Sequence, residues 1–365
     1  MRKLITNLSQ LVLPISVMML LIIINLIKGV DYFSVTVVNG AFYGNIPNIL
    51  FGASELVILS IGMTLVTAAS QGQDISVGVS ATISSAVFVL FVLHAGEVTL
   101  LVIVAGFLLS CVVGLLLGAF NGTLVSVFEV QPMVASLILY AGGRSIAFMI
   151  DGKLSPILAN DISNQIGTVI PGLPIQTPII LTVVFIVLVA ILFRTTNLRL
   201  YVETVGINPN AARLNGINPK KIIFLTFLLM GVCTAVAGFI AVNKAGRHDS
   251  VNLLKNIMMD AILAVAIGGN SLGGGKFNIT GSIIGAYTIE MLNRTLLRLE
   301  VEPAMIKVFK AVFIIILMVV ASPVVRVFVS KTLERIRAGR LTGQFKGSSP
   351  KDSLISIANS TGKEE

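Results

Sequence analysis

Apolar residues fall into runs separated by short polar breaks, from Leu11 to Val320. The runs are Leu11–Ile27, Ile49–Ala69, Val77–Leu93, Leu100–Val125, Met133–Ile150, Ile179–Phe193, Ile222–Val242, Ile257–Ile267, Ile279–Leu297 and Met305–Val320. A helix needs about 20 residues to cross a bilayer, and most runs approach that length. Those at Val77 and Ile257 are short, with glycines beside them. Such runs mark either broken helices lining a polar path or helices that are tilted or partly buried. The pattern predicts an all-α polytopic membrane protein of about ten transmembrane helices, some of them broken or re-entrant.

Three stretches punctuate this pattern. In Glu203–Lys221, ETVGINPNAARLNGINPKK, the sequence Gly-Ile-Asn-Pro occurs at Gly206–Pro209 and again at Gly216–Pro219. Asn caps a helix through its side-chain oxygen, and Pro suits the first helical position, where no N–H is needed. The spacing predicts a short helix over Asn210–Leu214 with small Ala211 and Ala212 facing out of the membrane. Gly216 closes it in the left-handed conformation, and Arg213, Lys220 and Lys221 flank it. A plain capped connector would have the same pattern.

The second stretch is Gly62–Ser80, GMTLVTAASQGQDISVGVS. Its helix breaks at Ser70-Gln71-Gly72-Gln73, and Asp74 precedes a fresh apolar run. Asp74 reads as the cap of that run, or with Ser76 as part of a gate at a broken helix. An ionised Asp facing lipid would cost about 2.5–3.5 kcal/mol, so it belongs inside the bundle. In the third stretch, Asp260–Gly285, Gly268-Gly269 and Gly273-Gly274-Gly275 interrupt the helix and let backbones approach. Asp260, Gly268, Gly269 and Asn270 are candidates for the path there.

Composition excludes a soluble globule: 55% of the 365 residues are hydrophobic, 12% are charged, and mean hydropathy is +0.95. The net charge of +9 is not gathered into a nucleic-acid-binding domain. It lies at Arg2 and Lys3, in the central loop (Arg194, Arg199, Arg213, Lys220, Lys221), and after the last run (Arg326, Lys331, Arg335, Arg337, Arg340). Basic residues stay on the cytoplasmic side, and ten crossings would put all three groups there. The loop Asp151–Thr177, with Asp151, Asp161 and only Lys153, then falls outside. Residues 1–325 form one transmembrane domain in this reading, with 195–221 as its cytoplasmic loop. Residues 326–365 form a basic cytoplasmic tail, partly disordered for want of apolar periodicity. The basic start and its long apolar run read as a signal anchor.

Catalytic chemistry finds no purchase. Gly275-Lys276 is followed by Phe277, and Asn270 stands where a phosphate loop wants glycine, so nucleotide binding by this chain is rejected. No catalytic triad, metal set or paired carboxylate stands out. Cys111 and Cys233 sit in apolar runs and read as packing, while His94 and His248 are too far apart in sequence to suggest a metal site. Arg144, Glu290 and Asn121 lie in or near predicted spans, as packing groups, snorkelling ends or substrate contacts.

Together, the first stretch, the second stretch and DAILAVAIGGNSLGGGKFNITGSIIGA resemble the signature regions of bacterial ABC sugar-importer permeases of the ribose/xylose/galactofuranose type, in order over roughly Phe51 to Val320. The resemblance implies a transmembrane subunit moving a pentose or hexose by alternating access, in the cytoplasmic (inner) membrane. The implied partners are a cytoplasmic ATPase with two fused nucleotide-binding domains, a periplasmic or lipid-anchored sugar-binding protein, and a second permease protomer, identical or a sister chain. ATP would be bound by the ATPase, with no cofactor and no catalysis in this chain. The family's coupling segment maps onto Gly206, Asn208, Ala211, Ala212, Gly216 and Ile217, with Arg213 beside it. One departure is SQGQDISVG, where relatives often have Gly-Gly-Ile-Asp-Leu-Ser-Val-Gly; Gln71 and Gln73 are the odd residues. The rivals are a secondary transporter driven by an ion gradient, which would want ionisable groups within spans, a permease of the same class for another small solute, and a membrane enzyme or scaffold.

Overall fold

The computed structural model describes residues 2–38, 41–152, 155–302, 305–306, 308–312 and 315. The run Met305–Val320 lies largely outside the described residues, and the tail 326–365 wholly so. The described residues up to Lys310 form one compact unit.

The described residues are helical almost throughout. It begins with α1 (Arg2–Lys28), a 3-10 turn (Val30–Phe33) and a hairpin, β1 (Val35–Val38) with β2 (Ala41–Gly44). Then come α2 (Asn45–Gly52), α3 (Ser54–Ser70), α4 (Val77–His94), α5 (Leu100–Ser126), α6 (Pro132–Ile150) and α7 (Asp161–Gly167). The rest is α8 (Thr177–Thr195), α9 (Leu198–Ile207), α10 (Pro209–Leu214), α11 (Pro219–Ala245), α12 (Ile257–Ile267) and α13 (Ile279–Arg298). Most predicted runs match these helices to within a few residues, because each is closed by local chemistry such as Pro at the start of α6, α8 and α11, whereas α1 starts nine residues before the run at Leu11. The run Ile49–Ala69 is two helices, α2 and α3, bent by 44°. The hairpin, α7 and α9 were not foreseen, since none carries a long apolar run.

Among the described residues, five helices are long and apolar enough to cross a membrane, or six when α2 and α3 count as one bent span; Pro14–Lys28 and Ile257–Ile267 are shorter apolar helices. These spans fit a polytopic membrane protein but do not confirm the expected count of about ten. Apolar side chains cover the outer faces of α5 and α8: Leu101 is 80% exposed, Leu116 64% and Leu188 59%. Apolar surface on that scale is suited to hydrocarbon, not water.

Helix α3 is the axis of the fold, with every residue from Ser54 to Ala69 buried. It packs against α8, α9, α11, α12 and α13. Thr64 is bonded inside the bundle, donating to the Ser60 carbonyl at 2.7 Å and lying 2.6 Å from the Ser282 hydroxyl on α13. Helices α5 and α11 pack along much of their length. On α5, Gly106, Ser110, Gly114, Gly118 and Gly122 recur at every fourth position and are all buried. A Cβ on Gly231 of α11 would lie 2.1 Å from the Gly114 carbonyl oxygen, and one on Gly114 would lie 2.3 Å from that of Gly231. Small residues one turn apart let backbones touch where no hydrophobic force separates protein from lipid. That spacing was present in the sequence and unread.

Several charges inside the bundle are paired. Lys244 meets Glu55 at 2.9 Å and donates to the Phe51 carbonyl, and Arg294 meets Glu290 at 2.9 Å. Glu290 is therefore a structural partner one helical turn from its arginine.

Candidate functional site

The two Gly-Ile-Asn-Pro copies build a short arm. Asn208 accepts from the N–H groups of Asn210 and Ala211 at 3.0 and 3.1 Å, Pro209 opens α10, and Asn218 accepts from Lys221 N–H at 3.3 Å to open α11. Gly216 adopts φ +77°, and the following Ile217 N–H returns to the Ala212 carbonyl at 3.0 Å. This is the closure predicted from sequence. The outward side differs from expectation. Ala212 is fully buried in its own chain, whereas Leu214 is 91% exposed and Ile207 70%. An open groove of ≈ 410 Å³ runs beside the arm, lined by Arg213, Gly216, Ile217, Asn218, Pro219 and Lys220. Lys220 also pairs at 3.0 Å with Glu129, whose carboxyl that hydrogen bond and charge hold below the usual range.

The three stretches meet at one point. The Gly275 N–H donates to the carbonyl of Ala68, near the end of α3, at 3.1 Å. Gly206 packs so closely there that a Cβ would lie 1.7 Å from the same oxygen and 2.8 Å from Gly275 N. Gln71 donates to the Gly206 carbonyl, and Gln73 to that of Leu272, each at 2.8 Å. Sequence reasoning saw three separate motifs; only the fold makes them one junction.

Beyond the break, Asp74, Ser76 and Asn121 come together. The Asp74 carboxylate accepts from Ser76 N–H at 2.8 Å and from its hydroxyl at 2.6 Å, while Asn121 donates to that hydroxyl at 2.9 Å. Asp74 thus caps the turn leading into α4, and all three residues are buried. The Asn121 side-chain oxygen has no partner among the described residues. Asp74→Asn keeps an oxygen for both Ser76 donors and is expected to leave the unfolding temperature nearly unchanged. Asp74→Leu strands a buried N–H and should cost about 1–3 kcal/mol, read as thermal unfolding in detergent. Equal losses in both variants would show that the charge, not the cap, matters.

The remaining path candidates lie on the α12–α13 hairpin and are taken up by their own chain. Both Asp260 carboxylate oxygens accept from Lys310 at 2.9 Å. Asn270 donates to the Ser282 hydroxyl at 2.8 Å and to the Asn278 carbonyl at 3.1 Å, and accepts from Asn278 N–H at 2.6 Å. The two adjacent glycines do different work. A Cβ on Gly268 would meet Ser282 N at 2.5 Å, whereas Gly269 supplies a φ of +81°.

At the opposite end of the bundle, Arg144 on α6 donates to the carbonyls of Ser250 and Val251 at 2.9 and 3.0 Å, pinning the non-helical stretch before α12. His248 is buried there between the Asp151 carboxylate and the Thr82 carbonyl, each 3.1 Å from a ring nitrogen. A cavity of ≈ 440 Å³ lined by Leu11, Ile186, Phe193, Arg194, Arg199 and Ile283, among others, touches none of the path candidates.

A family model described as the permease component of the branched-chain amino acid transport system matches residues 45–321. The galactofuranose transporter permease protein of Escherichia coli (strain K12) is 36% identical over 87% of this chain and 90% of its own length. The fructose import permease protein of Bifidobacterium longum (strain NCC 2705) is 34% identical over 82% and 83% respectively. The ribose import permease protein of Escherichia coli (strain K12) is 33% identical over 76% and 85%. No solved structure matches the chain. With a bundle of apolar helices, a glycine-packed core and a match over most of its length, this multi-pass membrane protein belongs to that family of transport-system permease components, among relatives that are sugar-import permeases.

Proposed function

We propose that the chain is the membrane-spanning subunit of an ATP-driven importer for a pentose or hexose, galactofuranose being the sugar named for one of its relatives. The observation that carries the mechanism is the α9–α10 arm, whose α10 is capped by Asn208, exposing Ile207 and Leu214, and joined through Gly206 to α3 and the α12–α13 hairpin. A separate cytoplasmic ATPase with two fused nucleotide-binding domains binds the ATP and grips this arm. A surface that holds its partner differently in two states can shift the balance between them, so ATPase closure rocks this subunit against a second permease protomer. A periplasmic or lipid-anchored binding protein delivers the sugar at the other end. The reading places the chain in the cytoplasmic membrane with both termini inside and about ten spans. Asp74, Ser76 and Asn121 lie along the path, where the free Asn121 oxygen suits a sugar hydroxyl. The internal pairing of Glu55, Asp260 and Glu290 weighs against ion-driven transport, which needs titratable groups free to exchange an ion.

The test is reconstitution in proteoliposomes. Sugar accumulation is expected only with ATPase, binding protein and ATP together. Accumulation by the chain alone under a proton or sodium gradient would overturn the reading.

A further inference from the structure

Gln71 ends α3 at φ 58° and ψ 24°, a left-handed conformation that glycine adopts freely and glutamine does not. It is held there with a use for its side chain: the amide reaches the Gly206 carbonyl, two residues before the Asn208 cap of α10. Two positions on, the Gln73 amide reaches the Leu272 carbonyl in the glycine-rich turn of the α12–α13 hairpin. Between them Gly72 lies against Pro132 at the start of α6, where a Cβ would come within 2.9 Å of the ring. One four-residue break therefore holds the arm with one hand and the hairpin with the other.

We infer that Gln71 and Gln73 are positioning residues for energy coupling: their side-chain amides brace the α9–α10 arm and the glycine-rich hairpin to the α3–α4 break, so that movement of α10 reaches the broken elements instead of being lost in a loose joint. This rests on the importer reading above. Both bonds join a neutral amide to a backbone carbonyl, so each costs less to break during a cycle than a buried ion pair. Glutamine's length matters, since each amide spans to a different element.

The test is the double variant Gln71→Gly with Gln73→Met, reconstituted with ATPase and binding protein. Glycine is at ease in the left-handed turn, and methionine keeps the length of glutamine without its donor, so the purified variant should unfold at or near the wild-type temperature. The sugar imported per ATP hydrolysed should fall by about 25-fold, about fivefold for each of the two net neutral hydrogen bonds removed. Restoring Gln73 alone should recover part of the ratio. An unchanged ratio in the double variant, beside an active wild type, overturns the inference alone. A loss of uptake that only follows a lowered unfolding temperature also overturns it, as the glutamines would then be structural. A wild type without ATP-driven uptake removes the importer reading and this inference with it.

Discussion

Replacing Leu214 by aspartate is expected to leave folding and membrane insertion intact while removing both co-purification with the ATPase and ATP-driven uptake. Leu214 is 91% exposed at the end of a helix that Asn208 caps at its start and that is followed by the Asn218 cap of α11. Its removal costs the chain little. Burial of a leucine in a partner's pocket is worth about 1.5–3 kcal/mol, and aspartate adds the cost of burying an unpaired charge. Association should weaken by roughly ten- to a hundredfold or more, at about 1.4 kcal/mol per tenfold. Pull-down from detergent extract paired with uptake in cells measures both. Wild-type co-purification by the variant would leave α10 as a connector. Ala212, the position favoured from sequence, cannot serve this test: it is fully buried, so a bulky replacement would disturb the chain's own packing before any partner felt it.

The second large effect is expected at Gly206, set against its sequence twin Gly216. The two glycines open identical Gly-Ile-Asn-Pro copies, yet their surroundings are opposite. A Cβ on Gly206 would come within 1.7 Å of the Ala68 carbonyl oxygen, and backbone cannot yield there without breaking the Gly275 bond to that same oxygen. Gly206→Ala should therefore cost about 3 kcal/mol or more, at the upper end of overpacking, and abolish uptake. Gly216 has nothing within 4 Å of an added Cβ and needs only its φ of +77°. Gly216→Ala should cost about 1 kcal/mol and leave uptake largely in place. Thermal unfolding and uptake on both variants decide the matter; equal behaviour would mean that the junction is not packed as described.

That contrast shows what could be read in the sequence. Asn-Pro caps, glycine closures and apolar run lengths are local, so the bounds of α4, α5, α12 and α13 and the caps of α10 and α11 were legible. The bonding of Asp74 was legible in part for the same reason, its donors lying two residues away, although they belong to Ser76 in the turn before α4 rather than to the helix itself. Other features depend on partners far along the chain. Nothing near Gly206 distinguishes it from Gly216, because its neighbour is Ala68. Nothing near Asp260 announces Lys310, fifty residues on. Gln71 and Gln73 looked like mere departures from a pattern because their acceptors, Gly206 and Leu272, belong to other motifs. An exposed leucine beside Arg213 in a polar stretch was the one local hint of an outward face, and the small alanines drew the eye instead.

The complete burial of α3 bears on how the protein is made. A ribosome delivers α3 to the membrane well before α8, α9, α11, α12 and α13, the helices that eventually surround it. Until Arg298 has emerged, its Ser60, Thr64 and Thr67 side chains lack their final neighbours, and its faces must be covered by lipid, by the insertion machinery or by α1, α2 and α4. The axis of the finished bundle is thus among the first helices synthesised and the last to reach its native surroundings. Truncated chains that stop before α11 should accordingly be cleared by membrane proteases, while a chain extending through α13 survives.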